Sequence, residues 1–225
     1  NATTSSILRI LNISDTSNIS EITTEEWTHR SFGLKMVLSK DEKVLFVIDN
    51  VLSAYDISNL SIPSLISVSH LHQEADFEIT SCLLSPEGTI LVIRLREHRG
   101  ISKLKFFNVS NSTEPIYASE MIIPREVELY TFESAPIEYQ WVFSTDQKMI
   151  YIYQPGSLLA IDISDLNNPK VLGILSNPAL GKDGNHVSVL NMDPDGRKVN
   201  VLTYKGDLYR MNIQSTEILY LKQDI

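Results

Sequence analysis

His70 and His72, with Glu74 continuing the row, come closest in this 225-residue chain to a metal-ligating pattern. In an extended segment alternate side chains share a face, so all three would project together. Two ligands from one strand still need at least one more from elsewhere, and His29, His98 and His186 fit no such spacing. Solvated edge-strand histidines are therefore expected, and no metal site. Asp193-Pro194-Asp195-Gly196 lacks the further acidic ligands of a calcium loop and reads as a turn. The single cysteine, Cys82, sits in the apolar run 81–84 and reads as a small core residue. One cysteine also excludes an intrachain disulfide framework and any all-cysteine metal site. There is no Gly-X-Ser-X-Gly elbow and no phosphate-binding glycine loop. No catalytic residue, metal ligand or cofactor site is expected.

The residues that do carry a chemical signal are asparagines. Asn1, Asn12, Asn18, Asn59, Asn108 and Asn111 each stand two residues before a Ser or Thr. The composition gives ~2.4 such acceptor sequences by chance, so six is an excess. Turn chemistry explains part of it, since Asn12 and Asn108 occupy a recurring strand end and Asn59 and Asn111 close the same motif. Taken as N-glycosylation sites, they place the chain outside the cell or on its surface. Asn108 and Asn111 are too close for both to carry bulky glycans at once.

Composition narrows the remaining classes. Nineteen basic against 28 acidic residues leave a net charge of −9, which argues against a nucleic-acid partner. The hydrophobic share of 43% suits a globular core. The longest apolar run, residues 44–48, is far short of a bilayer span. The first six residues are polar and begin without Met, so a processed product or part of something longer is expected.

Something must position these asparagines, and it repeats. Asn12-Ile13-Ser14-Asp15 recurs as Asp56-Ile57-Ser58-Asn59, Asn108-Val109-Ser110-Asn111, Asp162-Ile163-Ser164-Asp165 and a degraded Asn212-Ile213-Gln214-Ser215. The copies start 44, 52, 54 and 50 residues apart, and three are followed by Pro63, Pro115 or Pro169. A second signature runs out of phase with it: Ser39-Lys-Asp-Glu-Lys43, Ser85-Pro-Glu-Gly-Thr89, Ser144-Thr-Asp-Gln-Lys148 and Asp193-Pro-Asp-Gly-Arg197. These residues suit tight β-turns: the first side chain bonds backbone amides, Pro presets φ and Gly tolerates positive φ. The proline after each strand end cannot donate to a ladder, so it opens an edge strand or a connection.

β-branched and aromatic runs fill the space between the turns. Residues 44–48, 90–95, 149–153 and 199–204 follow the four tight turns, and 52–57, 104–109, 158–163 and 208–213 follow those. The first run of each pair is nearly continuously apolar, as expected for a strand covered on both faces. Short helical turns have room only near Glu74 and Glu126. About four strands fall in each period, the mark of a β-propeller of four-stranded antiparallel blades. The expected organisation is a half blade over 6–30 and blades over 31–75, 76–125, 136–177 and 184–225. A two-sheet sandwich also has many short strands, but does not require one turn motif at the same phase four times. Trp27, Trp141, Tyr139, Tyr151 and Tyr153 read as packing between blades. Glu126, Glu128 and Glu133 fall in an insertion that suits a partner-contact loop.

Leu159-Ala-Ile-Asp-Ile-Ser-Asp-Leu-Asn-Asn-Pro169 resembles the LVIVD repeat, whose units run into such a strand end and an Asn-Pro turn. Residues 53–63 are a second match and 106–115 a third, with Asn108 in place of Asp. The last copy, with Gln214 and no proline, departs from the pattern. The resemblance implies a β-propeller, often in cell-surface or secreted multidomain proteins, with no activity shared across the family.

Two functional classes follow. One is a non-catalytic extracellular propeller for adhesion or assembly, its partners being proteins, including self-association into an oligomer or filament. The other is a propeller enzyme or ligand binder, lactonase-like and metal-dependent; a cytosolic scaffold is a third reading. An enzyme needs converging His, Asp, Glu or Asn on the innermost strands of several blades. Those strands share no polar position here, which favours the non-catalytic class. The leading half blade is expected to be completed by strands outside this chain.

Overall fold

In the computed structural model the chain is all β. The structure describes residues 4–12, 20–29, 34–49, 51–71, 77–97, 102–123, 140–154, 157–176, 187–213 and 218–221. A two-stranded antiparallel sheet comes first, β1 (Thr4–Asn12) with β2 (Ser20–His29). Four four-stranded sheets follow in chain order. The first holds β3 (Lys35–Leu38), β4 (Val44–Ile48), β5 (Val51–Asp56) and β6 (Ser64–His70). The second holds β7 (Phe77–Leu84), β8 (Ile90–Glu97), β9 (Ser102–Asn108) and β10 (Ile116–Ile122). The third holds β11 (Trp141–Phe143), β12 (Met149–Gln154), β13 (Ser157–Asp162) and β14 (Lys170–Ser176). The fourth holds β15 (Val187–Met192), β16 (Lys198–Thr203), β17 (Leu208–Asn212) and β18 (Ile218–Leu221). In every one the strands are adjacent in chain order. Four consecutive sheets stand in place of the two that a sandwich would have.

The tight turns explain why the first two strands of each sheet meet. In the first, the Glu42 amide donates to the Ser39 carbonyl (3.0 Å) and the Val44 amide to Ser39 Oγ (2.9 Å). The second and third repeat this: Gly88 N to Ser85 O and Ile90 N to Ser85 Oγ, then Gln147 N to Ser144 O and Met149 N to Ser144 Oγ. In the fourth, Gly196 N donates to Asp193 O. The fourth residue of every turn has positive φ, at Glu42, Gly88, Gln147 and Gly196, the geometry of a type I turn followed by a left-handed residue.

Burial follows the expected pattern. β4 is buried along its whole length, and outer strands such as β6 are largely exposed. β6 and β14 each bulge against their neighbours, at Ile66 and Leu172, which are left unpaired and exposed. Bulges bend an edge strand away from further pairing.

The chain divides into two compact units, residues 1–99 with 105–118, and 100–104 with 119–225; the division passes through the second sheet. In the first unit Phe46, Ile48, Leu52 and Ala54 pack against Leu91, Ile93 and Phe107. In the second, Tyr151, Tyr153 and Leu158 pack against Val199, Val201, Tyr209 and Met211. Tyr151 and Tyr153 are thus core residues as expected, and Trp141 is half-buried. The acidic insertion with Glu126, Glu128 and Glu133, the segment around Glu74, and Tyr139 lie outside the described residues. No helix among the described residues is long and apolar enough to cross a membrane.

Candidate functional site

The strand-end repeat folds into a corner with the same construction in three sheets. At its first position a short acidic or amide side chain turns back on the amide two residues ahead. Asp56 accepts from Ser58 N (2.8 Å), Asn108 from Ser110 N (3.0 Å) and Asp162 from Ser164 N (2.9 Å). The aliphatic residue between, Ile57, Val109 or Ile163, is buried. Its amide donates to the last residue of the tight turn beside it, Lys43, Thr89 or Lys148. The two signatures of the sequence therefore meet at one end of each sheet. At the fourth position the device repeats: Asn59 accepts from Ser61 N (3.1 Å), Asn111 from Thr113 N (3.3 Å) and Asp165 from Asn167 N (3.0 Å). A backbone turn closes each corner, as in Ile62 N to Asn59 O (3.0 Å), and the proline then opens the outer strand. Most of these bonds join residues two or three apart, which is why short polar residues recur there.

Three candidate glycosylation residues fall on these corners. Asn59, Asn108 and Asn111 are exposed, and each amide oxygen is held by the backbone amide two residues on. The Thr113 hydroxyl adds a second bond to Asn111 Oδ1 (2.7 Å). An amide held by its oxygen leaves the nitrogen, the atom that takes a sugar, on the other side. Asn12 ends β1; its side chain, like Asn1 and Asn18, lies outside the described residues.

The carboxylates at this end of the sheets are held ionised. The Ser58 hydroxyl and amide keep Asp56 below the usual range, and Ser164 does the same for Asp162. In the tight turns, Asp41 is lowered by the Ser39 hydroxyl and the Lys43 amide, and Asp146 by the Ser144 hydroxyl and the Lys148 amide.

The remaining candidates do not converge. His70 is exposed at the end of the edge strand β6. His72, Glu74, His98 and His186 lie outside the described residues, as does the His29 side chain. Among the described residues no three His, Cys, Asp or Glu side chains group as a metal site. Cys82 is packed against the first unit's core, and burial pushes its thiol up to about 11 despite the charge of Lys35.

Two cations were not foreseen. Arg94 is completely buried in β8, and Lys105 is buried in β9, where its ammonium donates to the Leu71 carbonyl and lies 5.8 Å from the Tyr117 ring centre. The signal for Arg94 was its position: counted from the tight turn, Ile48 and Tyr153 stand there in the first and third sheets. In the fourth sheet an Asn200–Arg210 cross-strand pair replaces Phe46–Ala54 and Tyr151–Ala160. Arg210 Nε donates to Asn200 Oδ1 (2.9 Å), and Asn200 Nδ2 to Asp193 Oδ1 (2.5 Å).

No protein-family model and no curated protein matches the sequence. Solved structures do match its fold. A periplasmic gluconolactonase from Pseudomonas aeruginosa aligns with 91% of this chain at 14% identity and a TM-score of 0.59. A Bacteroides uniformis protein assigned as a 6-phosphogluconolactonase aligns with 89% at 15% identity and the same TM-score. A chain of a mitotic checkpoint complex aligns with 84% at 12% identity and a TM-score of 0.51. The alignment spans 60% of each lactonase and 49% of the checkpoint chain. At such identities the likeness shows the fold alone, a β-propeller-like all-β architecture.

Proposed function

We propose that this chain is part of an extracellular, N-glycosylated β-propeller of the LVIVD-repeat kind, acting as a non-catalytic adhesion or assembly module. In this reading the two-stranded sheet is a half blade and the four sheets that follow are blades. The observation that carries it is the setting of Asn59, Asn108 and Asn111, exposed on repeat corners with their amide oxygens engaged. The partners are proteins, a second copy of the chain among them. β1 and β2 pair with each other across nine positions, and completion of that sheet by outside strands would be β-augmentation.

The test is intact mass. The chain secreted from a eukaryotic host should lose mass on enzymatic deglycosylation, and less of it once Asn59 and Asn111 are changed to Gln. Secreted protein whose mass does not move would remove the reading.

The fold likeness to two lactonases favours a second reading, a lactonase-like enzyme. Hydrolysis of gluconolactone or 6-phosphogluconolactone by the purified chain, with and without divalent cations, separates the two. Turnover above the spontaneous rate would establish the enzyme.

A further inference from the structure

The four tight turns are not four copies of one design. The first and third read Ser-X-Asp-Glu/Gln-Lys, with a non-glycine residue in the left-handed position, φ 60° at Glu42 and 58° at Gln147. Their serine hydroxyls donate to the aspartates, Ser39 to Asp41 (2.7 Å) and Ser144 to Asp146 (2.6 Å). The second and fourth read Ser/Asp-Pro-Glu/Asp-Gly, with glycine in that position at φ 73° and 69°. The reason for glycine lies in the preceding sheet. A Cβ at Gly88 would lie 2.7 Å from Lys40 Cβ, and one at Gly196 would collide with the Thr145 hydroxyl. Lys40 and Thr145 are the second residues of the first and third turns, so each odd turn seats a side chain on the bare glycine of the even turn after it.

The two even sheets also share a feature of their first strands. In β7 and β15 the register slips by one, at Thr80 and Ser188, and each hydroxyl donates to a carbonyl of the partner strand: Thr80 to Arg94 (3.4 Å), Ser188 to Leu202 (3.1 Å). β3 and β11 begin after the equivalent position, at Lys35 and Trp141. Each even sheet also carries an arginine on the face away from the core it shares with the odd one, Arg94 and Arg210. The shared cores match position by position, Phe46 with Tyr151, Ile48 with Tyr153, Ile93 with Val201, Phe107 with Met211. A one-sheet repeat would reproduce the cores but not the alternation of the turns. Odd turns recur 105 residues apart and even turns 108.

We infer that the repeating unit of this chain is a pair of sheets, clasped by a side chain of one turn seated on a glycine of the next, and that each pair opens as one cooperative body. The exposed ion pair Lys40–Glu87 spans only the first clasp and adds little. The stacked turns and shared core carry it.

Hydrogen exchange on the whole chain tests this, because local opening is read strand by strand. Gly88→Ala should speed exchange of the protected amides in β3 to β8 by about tenfold or more and leave β11 to β17 unchanged. Gly196→Ala should do the reverse. Acceleration spread evenly over all four sheets would overturn the inference, and so would acceleration confined to the altered turn. If either alanine variant fails to fold, Glu42→Gly and Gln147→Gly replace it. Each removes a strained left-handed residue and should slow exchange only within its own pair; a uniform or turn-confined slowing would again overturn it.

Discussion

Asp41, Asp56, Asp146 and Asp162 share one electrostatic situation. Each carboxylate accepts from a serine hydroxyl and from a backbone amide two residues on, which favours its charged form. A folded-state value below the unfolded one contributes stability that is present above the unfolded pKa, about 3.9, and lost as pH falls through the folded value. The urea midpoint should therefore hold through neutral pH and drop below about pH 4. Asp146→Asn keeps an acceptor in the turn but removes the titration, and should flatten that drop. A steeper one would contradict the assignment. Cys82 makes the opposite case. Its thiol, raised to about 11 by burial, is protonated at neutral pH, so iodoacetamide should modify it far more slowly in folded than in urea-unfolded protein.

Turns and corners form the element scale, and both depend on a few side chains that replace missing backbone partners. Ser85 is buried, and its hydroxyl accepts from the amides of Thr89 and Ile90 at 3.2 and 3.1 Å. Ser85→Ala leaves those amides without it, at a cost of about 1–3 kcal/mol in urea unfolding. Ser85→Asp should recover much of the loss, because Asp193 heads the fourth turn in its place. The edge strands behave differently. Leu172, on the bulge of β14, is 62% exposed, and Leu172→Ser should change stability by less than about 0.5 kcal/mol.

At the scale of the whole molecule, stability resides in the apolar interfaces within each unit. Phe46 is fully buried between β4, β5 and the second sheet, and Phe46→Ala should cost about 3–5 kcal/mol. The cavity lies in the first unit, so equilibrium unfolding followed by tryptophan fluorescence should report the second unit, which holds Trp141, apart from the first, which holds Trp27. A β-propeller-like fold leaves function to side chains on its surface and ends. The likeness to lactonases accordingly bears on architecture.

Turn positions and the polar bonds of the corners were legible in the sequence because these bonds join residues no more than five apart. Ser39 with Val44 and Asp56 with Ser58 need nothing distant to form. The all-β class followed from their phase, and the candidate site, so far as it lies on Asn59, Asn108 and Asn111, followed from the same local chemistry. Only the tertiary structure decided which polar residues are buried. Arg94 looks like any charge on a strand until the fold buries it, and Lys105 becomes an anchor only because the Leu71 carbonyl is brought to it. The pairing of sheets was equally hidden, although the alternation of Gly with Glu and Gln stood in plain view. Its meaning depends on Lys40 meeting Gly88 and Thr145 meeting Gly196, contacts that packing between sheets creates and local propensity does not specify.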